Sequence, residues 1–235
     1  MTIDFPFIWI AFKELLKAAP LTLILTFTPI IIGFFIGISV AMIRAYNLRF
    51  LSRIANGYVS FFRGTPAIMH IMLIYFGVPL LLDILIKYLH LPIQSNSIPI
   101  VLFVITALSL TAGSYLSEII RSGISSVSQG QIEAAYAIGM NTFQVLKRII
   151  LPQALVQSIP NFTNLIIGFL HTTSIAFLVS QKEITGAANI IASKNLKFLE
   201  AFIAAGLLYW IITAIIEWVS YAVEKKAKSY TNSAI

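Results

Sequence analysis

Residues 128–152 read SQGQIEAAYAIGMNTFQVLKRIILP. They form the centre of the longest polar connection in the chain, about Ser117 to Gln153. Ser128 and Gln131 have capping-box spacing, which predicts a helix start there. Glu133 then lies in the first turn, where the positive end of the helix dipole favours an acid. Ala134 and Ala135 are small and helix-favouring, so another surface can approach the backbone closely. Gly139 suits a left-handed helix stop. Asn141 or Thr142 can cap a second helix, amphipathic through Phe143, Leu146, Ile149 and Ile150. Pro152 restricts the chain as it leaves that helix. The stretch therefore predicts a short helix, a sharp turn and a second helix: a rigid knob.

Outward from this knob the chain is too apolar for water. Apolar residues make up 58% of the 235 positions and charged residues 11%, against about 45–50% and about 25% in soluble domains. Mean hydropathy is +0.90. An ordinary cytosolic enzyme and a disordered chain are excluded, and the undiluted hydropathy argues against a membrane β-barrel. Five runs approach the ~20 apolar residues that cross a bilayer: about Ala18–Ile43, Pro66–Ile86, Ile98–Leu116, Ala154–Val179 and Glu200–Val223. The expected class is an all-α integral membrane protein with about five transmembrane helices.

Five spans put the termini on opposite sides. Ten basic residues (Arg44, Arg49, Arg53, Arg63, Arg121, Lys147, Arg148, Lys225, Lys226 and Lys228) fall on the side of the knob, and six on the other. Basic residues concentrate on the cytoplasmic face, so the N-terminus is expected outside and the C-terminus in the cytoplasm. The net charge of +7 follows from this bias and needs no nucleic acid, for which no recognition motif is present. Residues 1–17 lack a basic n-region and do not read as a cleaved signal. Phe5, Trp9, Phe12 and Leu16 fall at helical spacing, which suits an interfacial helix over 1–17. The expected organisation is that helix, a membrane domain over 18–223 with the knob at 128–152, and a cytoplasmic tail over 224–235. With no Cys in the chain, disulfides, thiolate metal sites and a Cys nucleophile are excluded.

Glu133-Ala134-Ala135, Gly139, Ile149 and Leu151-Pro152 resemble the EAA loop of bacterial ABC importer permeases. Three further stretches resemble the polar amino acid uptake branch: Phe62-Arg63-Gly64-Thr65-Pro66, AGSYLSEIIRSGISSVSQ over 112–129, and Ile149-Ile150-Leu151-Pro152-Gln153-Ala154. The resemblance implies the type I importer permease fold in the bacterial cytoplasmic membrane. It also implies a second permease subunit, same or homologous, two ABC ATPase subunits and an extracytoplasmic substrate-binding protein. The EAA residues Glu133, Ala134, Ala135, Gly139, Leu151 and Pro152 would couple to the ATPase. ATP and Mg would be bound there, with no cofactor on this chain. Consistently, the chain has no Walker-type GxxxxGK[ST] stretch to cradle phosphates. The implied cargo is an L-amino acid or a derivative such as cystine.

Several polar residues admit two readings. Arg63, Gly64, Thr65 and Pro66 form either a structured bend near a gate or a basic anchor followed by a helix start at the cytoplasmic end of the second span. Glu118 and Arg121, at i, i+3, form either an interfacial ion pair or a gate contact. In the fourth span the family's Lys-Asp-Thr-Ser-Leu stretch corresponds to His171-Thr172-Thr173-Ser174-Ile175. Both charges are replaced, so a carried-over electrostatic role is in doubt. His171, Thr172, Thr173 and Ser174 either line a solute pathway, which would then favour a cargo without net charge, or bond between helices. His70 in the second span has the same two readings. His70 and His171 lack a third ligand for a metal site. A self-sufficient secondary transporter or channel is the alternative function, but it calls for intramembrane acids, and the central parts of the spans hold none. A membrane enzyme calls for a clustered acid–base or metal constellation, and none is visible.

Overall fold

The computed structural model describes residues 3–90 and 95–232. Residues 1–2 and 233–235, the extremes of the expected interfacial helix and tail, lie outside that range. Among the described residues, five helical stretches are long and apolar enough to cross a membrane: Ala19–Ala45, Ala67–Tyr88, Ile100–Ser125, Thr142–Val179 and Phe198–Ser229. The helices are α1 (Phe5–Leu16), α2 (Ala19–Ala45), α3 (Arg49–Gly64), α4 (Ala67–Tyr88), α5 (Ile100–Ser125), α6 (Gln129–Ala137), α7 (Thr142–Val145), α8 (Leu151–Thr172), α9 (Ile184–Asn195) and α10 (Phe198–Asn232).

Parallel packing of α2 on α5 organises the bundle. Without a hydrophobic drive between helices in lipid, close approach depends on small residues. A Cβ added at Gly33 would sit 2.6 Å from the Ala112 Cβ, and one at Gly37 would sit 2.8 Å from the Leu116 Cβ. Reciprocally, a Cβ at Gly113 would meet Ile36 at 2.6 Å. Leu25, Val104, Leu108 and Leu116 are fully buried at this seam, with Leu165 and Phe169 of α8 behind them. Gly33→Val is therefore expected to lower stability by about 1–3 kcal/mol through overpacking. Gly206→Ala, where nothing lies within 4 Å, should stay within about 0.5 kcal/mol. Thermal unfolding of the two purified variants in one detergent checks the contrast.

The span boundaries shift for physical reasons. The third span continues to Ser125 rather than ending at Leu116, because Ser114 and Ser117 return their hydroxyl protons to carbonyls of their own helix and Glu118 is paired. The fourth span is helical from α7 onward, with a π turn at Leu146–Ile150 just before Pro152. A proline nitrogen cannot donate, and a π turn lets the ladder absorb the missing bond. Beyond Thr172 the chain tightens to a 3₁₀ helix over Thr173–Val179, ended by Ser180 at φ +61°. The expected tail boundary at 223 is no break, since α10 runs on to Asn232, helped by a Glu224–Lys228 pair at i, i+4.

α3 has no counterpart among the expected elements. Ser52, Ala55 and Val59 bury one face of it. The Ser52 hydroxyl donates to the Ile43 carbonyl at 2.9 Å, and Val59 packs with Val40 and Ile36. So α3 runs antiparallel to α2, back along the bundle. At the other end of the chain, α1 lies against α9 and α10 through Phe7, Ala11 and Leu15. Asp4 caps it by accepting from the Phe7 amide at 3.0 Å and is ion-paired with Lys197. That lysine holds the Asp4 carboxyl below its ordinary value. Phe5, Trp9 and Leu16 face outward, Trp9 stacks on Phe12, and Lys13 sits over the Trp9 ring. An aromatic face with a cation at its edge suits the bilayer interface.

Candidate functional site

The knob is built as a helix, a left-handed turn and a second helix start. α6 ends in a Schellman arrangement: the Met140 amide donates to the Ala135 carbonyl at 3.1 Å, and the Gly139 amide to the Tyr136 carbonyl at 3.0 Å. Gly139 sits at φ +86°, the one glycine at positive φ among the described residues. The capping box lies here and not at Ser128, whose side chain makes no cap bond. The Asn141 carboxamide accepts from the Gln144 amide, and the Gln144 side chain accepts from the Asn141 amide, both at 2.9 Å. Two orphan donors of the second helix are thereby satisfied together. Glu133 and Ala134 are exposed and Ala135 is buried. Tyr136, Ile138 and Phe143 stand exposed around the turn. Leu151 and Pro152 are exposed at the start of α8.

Above the knob, Glu118 collects three arginines. Its carboxylate lies 2.5 Å from Arg44 of α2, 2.8 Å from Arg121 and 3.7 Å from Arg63 of α3. The i, i+3 pair expected with Arg121 is present, and it is one part of a link among three helices. Arg63 also lies over the Tyr115 ring at 5.8 Å.

The FRGTP bend immediately precedes the second span, Ala67–Tyr88. α3 carries it along the bundle until Thr65 meets the middle of α5. Thr65 and Thr111 flank His70, whose Nε2 lies 2.7 Å from the Thr65 hydroxyl and whose Nδ1 lies 2.8 Å from the Thr111 hydroxyl. The ring is 1% exposed and packs against Phe61 and Phe62. Gly64 meets nothing that a side chain would strike. Pro66, extended at ψ 142°, opens α4.

Beside this bend is a cleft of about 410 Å³ between the α3–α4 junction, α5 and α8. Thr65, Thr111 and Tyr115 line one wall; Asn161, Asn164 and Thr172 line the other. A second groove of about 350 Å³ between α8 and α10 is walled by Leu155, Ile159, Val219 and similar apolar groups. It offers little to orient a polar solute.

The His171–Ser174 run does not act as one surface. Thr172 lines the cleft. Thr173 is fully buried and donates to the Leu170 carbonyl. Ser174 donates to the His171 carbonyl. His171 turns toward α10, 3.3 Å from the Thr213 hydroxyl and edge-on to Tyr209. His171 and Thr172 close α8, where successive side chains already point about 100° apart, and the 3₁₀ helix begins only at Thr173. Sequence reasoning passed over Asn161 and Asn164, which with Thr172 follow i, i+3, i+11 spacing on one helical face, a signal that was available. It also passed over Glu183. That fully buried carboxylate caps α9 by accepting from the Thr185 and Gly186 amides at 2.8 Å and from the Tyr209 hydroxyl at 2.9 Å. Burial pushes its carboxyl above its ordinary value. Among the described residues no group of three His, Asp or Glu could hold a metal.

Residues 30–229 match the family described as binding-protein-dependent transport system inner membrane component. The chain is 37% identical over 214 residues to the probable amino-acid permease protein YxeN of Bacillus subtilis, covering 91% of each. It is 33% identical to the L-cystine transport system permease protein TcyL of the same organism, over 89% of this chain and 85% of that one. Identity to the nopaline transport system permease protein NocM of Agrobacterium fabrum is 39%, over 88% and 84%. The crystal structure of an amino acid ABC transporter with histidines superposes with a TM-score of 0.83 at 27% identity, over 96% of this chain and all of that one. An inward-facing methionine ABC transporter, MetNI, shares the fold at a TM-score of 0.73 and 18% identity, over 96% and 99%. The five apolar helices, the knob beneath them and these matches identify the chain as a multi-pass membrane protein of the binding-protein-dependent transport system inner membrane component family.

Proposed function

We propose that this chain is the non-catalytic permease subunit of an ABC importer that carries an L-amino acid or derivative, cystine included, across the bacterial cytoplasmic membrane. The knob carries the reading. It is rigid, capped at both helices and fringed by exposed Tyr136, Ile138 and Phe143, so it can seat in a groove of an ABC ATPase. Glu133, Ala134, Ala135, Gly139, Leu151 and Pro152 belong to that contact. ATP and Mg bind on the ATPase, a binding protein delivers solute from outside, and a second permease completes the pathway. Solute passes the cleft beside Thr65, Thr111 and Thr172, with the Glu118 cluster below it as the inner gate.

Uptake of labelled amino acids by proteoliposomes should require all three components and ATP. Uptake by this chain alone, without an ATPase, would support a secondary transporter instead. The basic-residue bias supports an N-terminus outside. Single Cys residues at Thr2 and Ser233, treated with an impermeant label on intact cells, should react at Thr2 only. Reaction at Ser233 only would reverse the orientation.

A further inference from the structure

We infer that the apolar groove between α8 and α10 seats an acyl chain of an anionic phospholipid from the leaflet on the knob side, with the headgroup held by Arg148 and Lys226. The groove holds about 350 Å³ and is walled by Leu155, Ile159 and Ile166 of α8 and by Val219 and Val223 of α10. Thr163, which also lines it, returns its hydroxyl proton to the Ile159 carbonyl at 3.0 Å. Such a wall fits a hydrocarbon chain. It also looks away from the cleft. At about 100° per residue, Asn161, Asn164 and Gly168, which line the cleft, fall on the side of α8 opposite Leu155, Ile159 and Ile166. The inference takes one thing from the proposed function: the second permease closes the cleft side of α8, which leaves the groove to lipid.

Charge at the knob end decides which lipid. Lipid tails are as apolar as the helix side chains, so the groove alone takes any acyl chain and selection falls to the headgroup. Arg148 precedes Leu155, Ile159 and Ile166 by 7, 11 and 18 positions, the spacings of one helix face. It stands at the mouth of the groove, about two turns before Leu155. Lys226 follows Val223 by three positions and adjoins Ala227, the last residue of α10 to line the groove. Arg148 and Lys226 are exposed, as are their neighbours Lys147 and Lys225. Among the described residues none of these four is ion-paired with a carboxylate, whereas Lys228 is paired with Glu224 at 2.6 Å. Trp218 and Tyr221, exposed on α10 shortly before the mouth, mark the level of the bilayer interface. Basic residues gathered where two helices leave the bilayer form a pocket for a headgroup of net negative charge, and an arginine can hold two phosphate oxygens at once. A zwitterionic headgroup brings its own ammonium to the same place and gains much less.

The test places the full-length chain, with whatever subunits copurify, in phosphatidylcholine nanodiscs. These carry a small, equal fraction of either phosphatidylglycerol or phosphatidylcholine with a diazirine on one acyl chain. After irradiation, mass spectrometry locates the labelled residues. Labelling within 155–166 and 219–227 should favour phosphatidylglycerol by roughly fivefold or more, through the basic residues at the mouth. Lipid-labelled positions elsewhere on the spans should show a ratio within about twofold, since bare apolar surface does not choose. Replacing both Arg148→Gln and Lys226→Gln should bring the groove to within about twofold as well, while its labelling by phosphatidylcholine persists and shows the groove intact. A native groove that favours phosphatidylglycerol no more than the other spans overturns the inference, as does a preference that survives the double substitution. So does a groove labelled by neither lipid, the result expected where a second copy of this chain fills it. None of these readouts requires transport, so a chain that imports no amino acid refutes the proposed function and leaves the lipid ratio to be read on its own.

Discussion

Gly139→Val is expected to reduce ATP-driven uptake to background while the spans still insert. The residue sits at φ +86° with nothing within 4 Å of where a Cβ would be. The cost is thus backbone strain alone, about 1–3 kcal/mol for a β-branched residue held there. The nine-residue α6 has little reserve, because a helix this short is marginal without tertiary support. Once the turn opens, the Ala135 and Tyr136 carbonyls lose the amides of Met140 and Gly139, and α6 no longer holds its angle to α7. Glu133 and Ala134 then present a different surface to the ATPase. Gly139→Asn should keep partial function, since Asn tolerates positive φ better than other side chains. Copurification of the ATPase and uptake in proteoliposomes measure both variants. Full uptake with normal ATPase association in Gly139→Val would remove the turn from the coupling role.

The features legible in the sequence were those set by local chemistry. Apolar run length marked the five spans, and the stop at Gly139 follows from one residue's permitted backbone. A cap at Asn141 or Thr142 was legible from residue type, and the structure settles it on Asn141 through the box with Gln144. Features set by packing were not legible in this way. The burial of Ser52, Ala55 and Val59 on one face of α3 has helical spacing, but four arginines from Arg44 to Arg63 masked it as a basic loop. Nothing local shows that α3 turns back along α2 and carries Thr65 to the middle of α5. For the same reason His70 read as an isolated polar residue in a span. Its two partners lie 5 and 41 positions away, and only the fold makes them neighbours of one ring. His171 failed in the opposite sense. Its place in a polar run suggested a shared surface, but adjacent positions on α8 point about 100° apart, which separates it from Thr172.

Glu118→Gln should weaken both stability and transport, more than loss of any one of its arginine partners. Its side chain is 17% exposed and holds Arg44, itself 21% exposed, together with the more exposed Arg63 and Arg121. Removing one partner of a buried pair costs about 3–5 kcal/mol because the other charge is left uncompensated. Solvent around two of the arginines screens part of this, leaving about 2 kcal/mol. The consequence is directional, because three guanidiniums then repel across the ends of α2, α3 and α5, beneath the cleft. α5 leads directly through Ser126–Ser128 into α6, so a splayed α5 end also misplaces the coupling knob. Arg121→Gln should cost within about 1 kcal/mol, as exposed pairs do, and Arg44→Gln should fall between. Because Arg44 and Glu118 act as a unit, combining Arg44→Gln with Glu118→Gln should cost less than the two separate losses together, by about 1–2 kcal/mol. Thermal unfolding of the four proteins in detergent gives the stabilities, and uptake by the assembled importer gives the transport rates. Strict additivity, or a Glu118→Gln protein as stable and active as the native one, would reduce the cluster to an interfacial charge patch.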